Sequence, residues 1–213
     1  AYCKQEDIQK WTCGPDCDAL RGSVQNLHFF NEKTGEGMIS YSIYVDTKNQ
    51  YLITACRGTI SNWQLFWEIC NGDDVAYDLH NITDAVVMRY FYQHYKNNIR
   101  PDFLKYFPTF LKQYPNYTII FTGHSLGAAL TTHLALDSVL SGLVPGNMTI
   151  LYNYGSPRVG NYAFAEKVVN SIPIIYRINH YKDQVPHIPF CTKDTKGNCV
   201  TGQGTPNYNK TGI

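Results

Sequence analysis

The residue best suited to covalent chemistry in this 213-residue sequence is Ser125. It stands at the centre of Gly123-His124-Ser125-Leu126-Gly127, a G-x-S-x-G pattern that directly follows the apolar run at 118–122. Such a run, a turn flanked by glycines and an immediate helix at 126–140 predict a nucleophile elbow, in which the serine hydroxyl stands clear of the sheet edge. The alternative is an ordinary strand-to-helix turn with an exposed serine.

A serine hydroxyl needs a neighbouring base to accept its proton, and that base needs a third group to fix its tautomer. The predicted strand at 174–179 leads into a polar loop that contains Asp183. Because the carboxyl ends of parallel strands converge on one crevice, Asp183 is the carboxylate best placed to orient a histidine. The alternative is a solvated loop aspartate.

Acyl transfer also needs hydrogen-bond donors for the developing oxyanion. The N–H of Leu126 is one candidate, because it opens the helix that follows the nucleophile. Thr59 is the second, since Arg57-Gly58-Thr59 ends an earlier predicted strand and offers a backbone N–H and a hydroxyl. Taken alone, a Gly-Thr sequence after a strand usually indicates only a turn.

The elements that must position these residues alternate between strand and helix. The predicted strands lie at 118–122, 149–154 and 174–179, and the helices between them at 126–140 and 162–170. This alternation predicts an α/β fold with a mostly parallel sheet and helices on both faces. Upstream, the runs at 38–45 and 51–57 predict an antiparallel hairpin. Helical spacing at 83–97 is expected to be interrupted by Pro101 and resumed at 103–113.

Composition limits the possible partners. Lys and Arg total 18 against 17 for Asp and Glu, and this net charge of +1 argues against a nucleic-acid partner. No uncharged apolar run reaches the ~18 residues that a membrane span needs. No cluster of His, Cys and Asp has the spacing of metal ligands, so neither a metal nor a cofactor is expected.

Cysteines and glycosylation sequons favour an oxidising, secretory environment. There are seven cysteines, and N-x-S/T sequons begin at Asn81, Asn116, Asn147 and Asn209. Cys13/Cys17 and Cys191/Cys199 are close enough in sequence to form local pairs. Cys56, in a predicted core strand, is expected to be a buried free thiol.

Several blocks, in order along nearly the whole chain, carry a resemblance to a known family. They are Arg57-Gly58-Thr59 with Asn62-Trp63, the elbow at 123–127, Tyr-Gly-Ser-Pro-Arg-Val-Gly-Asn at 154–161 and Asp-Gln-Val-Pro-His-Ile-Pro at 183–189. Together they resemble the class 3, fungal-type triacylglycerol lipase family of the α/β-hydrolase fold. The resemblance implies that Ser125 is the nucleophile, Asp183 the acid, and Thr59 with Leu126 the oxyanion hole.

The base departs from that family's pattern. The family's triad runs Ser, Asp, His, and its histidine lies well beyond the acid loop, after one more strand. Here the only histidine after Asp183 is His187, inside the matching block, where the family often carries a noncatalytic histidine. In fungal members the first cysteine pairs with one near the C-terminus, a role that would fall to Cys3. We therefore expect residues 1–213 to be a single α/β-hydrolase domain that is C-terminally incomplete, lacking its last strand, the base and the partner of Cys3.

A stretch after the oxyanion candidate predicts a lid over the active site. Ile60, Trp63, Phe66 and Trp67 recur at the spacing of one face of a short helix. An apolar helix with two tryptophans suits a cover that turns toward a lipid–water interface without spanning a membrane. The alternative is an amphipathic helix packed on the core.

These observations predict a secreted lipase that hydrolyses triacylglycerol or related carboxylic esters by a Ser-His-Asp acyl-enzyme mechanism. Its expected substrate is a lipid or other ester, and its expected location is extracellular, with a vacuole or lysosome as the alternative. Two other functions stay open: a feruloyl or other carboxylesterase, and a catalytically inactive family member that binds lipid or protein.

Overall fold

The computed structural model of the chain describes residues 3–20, 22–59 and 73–188, with the backbone of 192–193 and 199–200. The strands are β1 (Val24–Thr34), β2 (Gly37–Asp46), β3 (Tyr51–Cys56), β4 (Asp74–Ala76), β5 (Val86–Met88), β6 (Thr118–His124), β7 (Thr149–Tyr154), β8 (Ile174–Ile178), β9 (Thr192–Lys193) and β10 (Cys199–Val200). The helices are α1 (Gln5–Lys10), α2 (Pro15–Ala19), α3 (Arg89–His94), α4 (Arg100–Gln113), α5 (Leu126–Leu140) and α6 (Tyr162–Ser171). A π-helical turn at Tyr95–Ile99 joins α3 to α4, and 3-10 turns cover Gly146–Met148 and Val185–His187.

The central sheet of the described residues has the strand order β1-β2-β3-β6-β7-β8. β1, β2 and β3 pair antiparallel, and β3, β6, β7 and β8 pair parallel. The β2–β3 turn is stabilised by Asp46, whose Oδ1 accepts the N–H groups of Lys48 at 3.0 Å and Asn49 at 3.2 Å. Both the expected hairpin and the α/β fold class are confirmed.

One face of the sheet packs against the main helical layer. Phe103 and Phe107 of α4 stack with ring centroids 4.3 Å apart, and both lie 6.2 Å from the ring of Phe121 on β6. Helix α5 packs on β3, β6 and β7, and its residues are buried from its first residue to Ser138. Asn153 of β7 donates to the Ala128 carbonyl at 3.0 Å, which ties the strand to the first turn of α5.

The opposite face is covered unevenly. At one end of the sheet α1 packs against β1. At the other end four apolar or aromatic side chains of β7 and β8 stay in contact with solvent: Tyr154 is 43% exposed, Ile174 37%, Tyr176 51% and Ile178 40%. None of the helices in the described part of the chain is long and apolar enough to cross a bilayer.

Two local expectations are corrected by the structure, and further strands are present that the sequence analysis did not predict. The helix expected from residue 83 begins at Arg89, because Val86–Met88 pairs as β5 with Asp74–Ala76. Pro101 does not end the helical segment: α3, the π-helical turn Tyr95–Ile99 and α4 follow one another without a break from Arg89 to Gln113, and the wider π-helical turn lies just before the proline. Strand β1 was not anticipated, and a short pair, β9 and β10, lies beyond residue 189.

The cysteine pairing also differs from expectation. The disulfide joins Cys3 to Cys13, whose Cα atoms are 5.8 Å apart. Cys17 is left as a buried free thiol on α2, so the predicted Cys13–Cys17 pair and the predicted remote partner of Cys3 are both wrong in this structure. Cys56 is a buried free thiol, as expected, and burial raises the pKa of its thiol. The expected Cys191–Cys199 pair lies outside the described side chains.

A fully buried histidine lies within α5. The ring of His133 is stacked between Tyr77 and Tyr95, with interplanar angles of 12° and 13°. Neither of its ring nitrogens has a hydrogen-bond partner. Burial therefore lowers the pKa of His133 to about 3, although the nearby Asp137 carboxylate acts in the opposite direction.

This histidine makes stability depend on pH. Its folded pKa of about 3 lies below the ordinary value of 6.5, so its contribution is complete above pH 6.5 and is lost as the pH falls toward 3. We expect a loss of ~1.4 kcal/mol per pH unit from this group. His133→Leu should remove that slope in urea unfolding between pH 6.5 and 5, and His180→Gln, at an exposed site, should keep it. An unchanged slope in His133→Leu would contradict the burial argument.

Candidate active site

Ser125 lies in a strained turn between β6 and α5. Its backbone angles are φ 55° and ψ −124°, a region that non-glycine residues rarely occupy. The turn is held from one side by the Ser125 N–H, which donates to the Tyr154 carbonyl at 3.0 Å. This geometry confirms the strand-turn-helix arrangement that the G-x-S-x-G pattern predicts.

The two glycines of the elbow allow the backbones to touch. A Cβ on Gly123 would overlap the Gly127 carbonyl, and a Cβ on Gly127 would overlap the carbonyl of Cys56 at the end of β3. Both positions therefore exclude any side chain. As a result β3, β6 and α5 approach one another directly next to Ser125.

The same contact brings the oxyanion candidates to Ser125. A Cβ on Gly58 would lie 2.7 Å from the carbonyl oxygen of His124, so the residue before Thr59 lies against the residue before Ser125. Thr59 itself is partly buried. Leu126 is the first residue of α5, where a backbone N–H has no intrahelical acceptor and carries the positive end of the helix dipole. Its side chain is buried, so only the N–H can serve the site.

Asp183 reaches the same edge from the loop after β8. Its Oδ1 accepts the Val185 N–H at 2.9 Å, and its own N–H donates to the His180 carbonyl at 2.8 Å. The other oxygen, Oδ2, lies 2.8 Å from the position that a Cβ on Gly155 would take. Gly155 directly follows β7, the strand between those that lead to Ser125 and to Asp183. The structure thus brings the sequence-predicted nucleophile and acid to the same edge of the sheet, at the ends of β6 and β8 with β7 between them.

The loop that carries Asp183 is held in place by an arginine of the preceding strand, β8. The Nη2 of Arg177 on β8 donates to the Ser156 carbonyl at 2.7 Å and to the Pro186 carbonyl at 3.0 Å. The Arg158 N–H donates to the Ile188 carbonyl at 2.8 Å. These bonds join both sides of the loop to the chain that follows β7, so the position of Asp183 is fixed by backbone contacts on either side of it.

Sequence reasoning missed one histidine near the acid. The Nε2 of His124 lies 3.6 Å from the same hypothetical Gly155 Cβ that Asp183 approaches, and its side chain is exposed. The parallel pairing of β6 with β7 could have indicated that His124 lies near Gly155, because His124 pairs with Tyr154, the residue before Gly155. His187, the other histidine near Asp183 in sequence, is exposed in the 3-10 turn Val185–His187. The lid candidates Trp63, Phe66 and Trp67 lie outside the described residues.

Comparison with known proteins identifies the family. A sequence profile described as Lipase (class 3) matches residues 53–193, a range that contains the elbow, the oxyanion candidates and the acid loop. The chain belongs to the class 3 lipase family. The resemblance of the separate blocks is therefore confirmed over about two thirds of the sequence.

Relatives of this class 3 lipase family member include secreted and structurally characterised lipases. The secreted mono- and diacylglycerol lipase A of Penicillium camembertii is 31% identical over 178 residues, which cover 83% of this chain and 54% of that protein. Lipase II from Rhizopus niveus superposes with a TM-score of 0.76 at 26% identity, covering 87% of this chain and 69% of that one. A triacylglycerol lipase described as having a serine protease triad as its catalytic centre gives 0.73 at 26%, covering 84% and 65%. The chain spans about half the length of the Penicillium relative.

The contact between Gly155 and Asp183 can be tested by adding one methyl group. Gly155 has φ +51° and Gly142 has φ +72°, but a Cβ on Gly142 would meet nothing within 4 Å. Alanine at either site costs ~1 kcal/mol for the left-handed backbone. We expect Gly155→Ala to lower the free energy of unfolding by ~1 kcal/mol more than Gly142→Ala, because it also displaces Asp183.

A double-mutant cycle isolates this term. In an Asp183→Ala background, the cost of Gly155→Ala should fall to that of Gly142→Ala in urea unfolding. If the cost of Gly155→Ala is the same with and without the Asp183 carboxylate, then that carboxylate does not lie against Gly155.

Proposed function

We propose that this protein hydrolyses carboxylic esters of lipids, triacylglycerols among them, through an acyl-enzyme formed on Ser125. The observation that carries the proposal is the strained elbow, with Ser125 at the same sheet edge as Asp183. Membership of the class 3 lipase family and the names of the relatives support the substrate class.

The proposed reaction follows from the positions of these groups. The Ser125 hydroxyl oxygen attacks the ester carbonyl as a base removes its proton, and the tetrahedral oxyanion accepts hydrogen bonds from Thr59 and the Leu126 N–H. Collapse of this intermediate releases the alcohol, which takes the proton back from the base. Water then attacks the acyl-enzyme by the same route and frees the fatty acid. Asp183 orients the base and stabilises its protonated form.

The base is proposed to be a histidine outside residues 1–213. This follows the family's Ser, Asp, His order, in which the histidine comes well after the acid. It also keeps the view that residues 1–213 are one incomplete α/β-hydrolase domain. Among the described residues, the side chain of His124 lies near Asp183. His124 directly precedes Ser125 in the sequence, whereas the histidine of the family's triad follows the acid.

Two substitutions distinguish these assignments in the natural, full-length protein. Ser125→Ala should abolish both ester hydrolysis and covalent labelling by a fluorophosphonate, a loss of about 10⁶ in kcat by the serine-protease precedent. His124→Asn should lower kcat by less than about tenfold, since it removes no group that transfers a proton. A loss in His124→Asn as large as that in Ser125→Ala would make His124 the base. Absence of labelling in the unsubstituted protein would favour a catalytically inactive lipid- or protein-binding member.

Secretion and action at a lipid–water interface complete the proposal. The sequon asparagines Asn81, Asn116 and Asn147 are exposed in the structure, as acceptors of N-glycans must be. The apolar pattern of Trp63, Phe66 and Trp67 supports a lid that opens on a lipid surface.

The lid predicts a dependence on the physical state of the substrate. Specific activity on trioctanoin should rise when the substrate passes from monomers to an emulsion, and replacing Trp63 and Trp67 by serine should reduce that rise, because two apolar anchors are lost. Activity on a soluble short-chain ester serves as the control and should change little. Equal activity on monomeric and emulsified trioctanoin would contradict the lid, and faster turnover of methyl ferulate than of trioctanoin would favour a feruloyl esterase.

A further inference from the structure

A second cavity lies on the sheet face opposite the main helical layer. It has a volume of about 320 Å³, is partly open to solvent, and is lined by the N-terminal helices and strands β1, β2 and β3. Ile8, Phe29, Tyr44 and Ala55 give it a largely apolar wall. A cavity of this volume lies at the lower end of the range of small-molecule sites, ~300–1,000 Å³.

Two polar groups in this cavity lack acceptors. Arg57 lines it, and its Nη2 donates to the Met38 carbonyl at 3.1 Å, while its Nε is buried without a partner. Trp11 lines it as well, and its indole Nε1 is buried without a partner. A buried N–H that donates to nothing loses the hydrogen bond it had with water, which makes each of these groups unfavourable as it stands.

No carboxylate of the described residues compensates the charge of Arg57. Within the described ranges its guanidinium forms no ion pair with a carboxylate. Burial lowers the pKa of Arg57, which reports that its cation is held in a poorly hydrated place. The carboxylate among the cavity's lining residues belongs to Asp16, which is exposed at the rim on α2. A cation and two orphaned N–H donors beside an apolar wall are complementary to an anion that carries a hydrocarbon chain.

We propose that this cavity binds a medium-chain fatty acid. Its carboxylate accepts hydrogen bonds from the Arg57 guanidinium and the Trp11 indole, and its chain lies along Phe29, Tyr44 and Ile8. The cavity is distinct from the candidate active site, because Ser125, Thr59 and Leu126 are not among its lining residues. The two sites meet at Gly58 and His124, which directly precede the oxyanion candidate and the nucleophile.

Binding to this cavity needs no chemistry at Ser125, so it is tested in Ser125→Ala protein. Titration calorimetry with octanoate should give saturable binding to the natural, full-length protein that carries Ser125→Ala. Arg57→Gln should weaken it at least about tenfold and Trp11→Phe about threefold or more, since each removes a donor to a charged acceptor. Arg89→Gln is the matched control, because Arg89 forms an exposed ion pair with Asp73. The Arg89→Gln protein should bind octanoate with unchanged affinity.

Two further ligands test separately whether the charge and the hydrocarbon chain of octanoate are recognised. 1-Octanol has the chain without the charge and inorganic phosphate has charge without the chain, so both should bind at least about tenfold more weakly than octanoate. Equal binding of octanol and octanoate, or of phosphate and octanoate, would overturn the proposal. So would octanoate binding that Arg57→Gln leaves unchanged.

A second measurement covers the case in which Arg57→Gln does not fold. Ala55→Leu fills the cavity from the floor of the sheet and should abolish octanoate binding. A photoactivatable diazirine derivative of octanoate should cross-link to residues of α1 and β1. Cross-links confined to the segments around Ser125 and Asp183 would assign the bound octanoate to the active site and reject the second cavity. A failure of ester hydrolysis would leave each of these binding results unaffected.

Discussion

The direct contact between glycine and backbone at the elbow is the constraint on which this site depends. Because Gly127 lies against the Cys56 carbonyl and Gly123 against Gly127, the end of β3, the end of β6 and the start of α5 share one small volume. A strand pair alone fixes the spacing of backbones along the hydrogen-bonding direction. Here the absence of two side chains also fixes how closely the helix can approach, and this brings Thr59 near the serine.

The parallel register extends that arrangement to the acid. The parallel strands β3, β6, β7 and β8 end at the same edge, and the chain leaves the sheet through Arg57, Ser125, Gly155 and Asn179 in turn. Gly155 provides the space in which Asp183 can lie, and Arg177 holds the surrounding backbone by two carbonyl contacts. Backbone contacts thus position the candidate site, and the side chains of Ser125 and Asp183 extend from this framework.

The sequence predicts best those structural features that are determined by residues close together along the chain. The bounds of α5 and β7 agree with their predicted ranges, because an apolar period followed by glycines is a local pattern. The start of α3, the strand β1 and the Cys3–Cys13 disulfide were missed, since each depends on a partner elsewhere in the chain. The nearness of His124 to Asp183 and the unpaired donors of Arg57 and Trp11 likewise exist only after the sheet has formed. The roles of Trp63, Phe66 and Trp67 stay predictions.

The left-handed backbone of Ser125 places its proposed catalytic role and the stability of the fold in opposition at one position. Glycine would adopt φ 55° without strain, whereas serine there carries ~1–3 kcal/mol of unfavourable backbone energy that the neighbouring contacts must offset. A search for stabilising substitutions would therefore select glycine at this site and, by removing the proposed nucleophile, yield a more stable protein without the proposed hydrolase activity. Backbone strain at a residue that also stands at a sheet edge between two close-packed glycines supports the proposed catalytic role of Ser125.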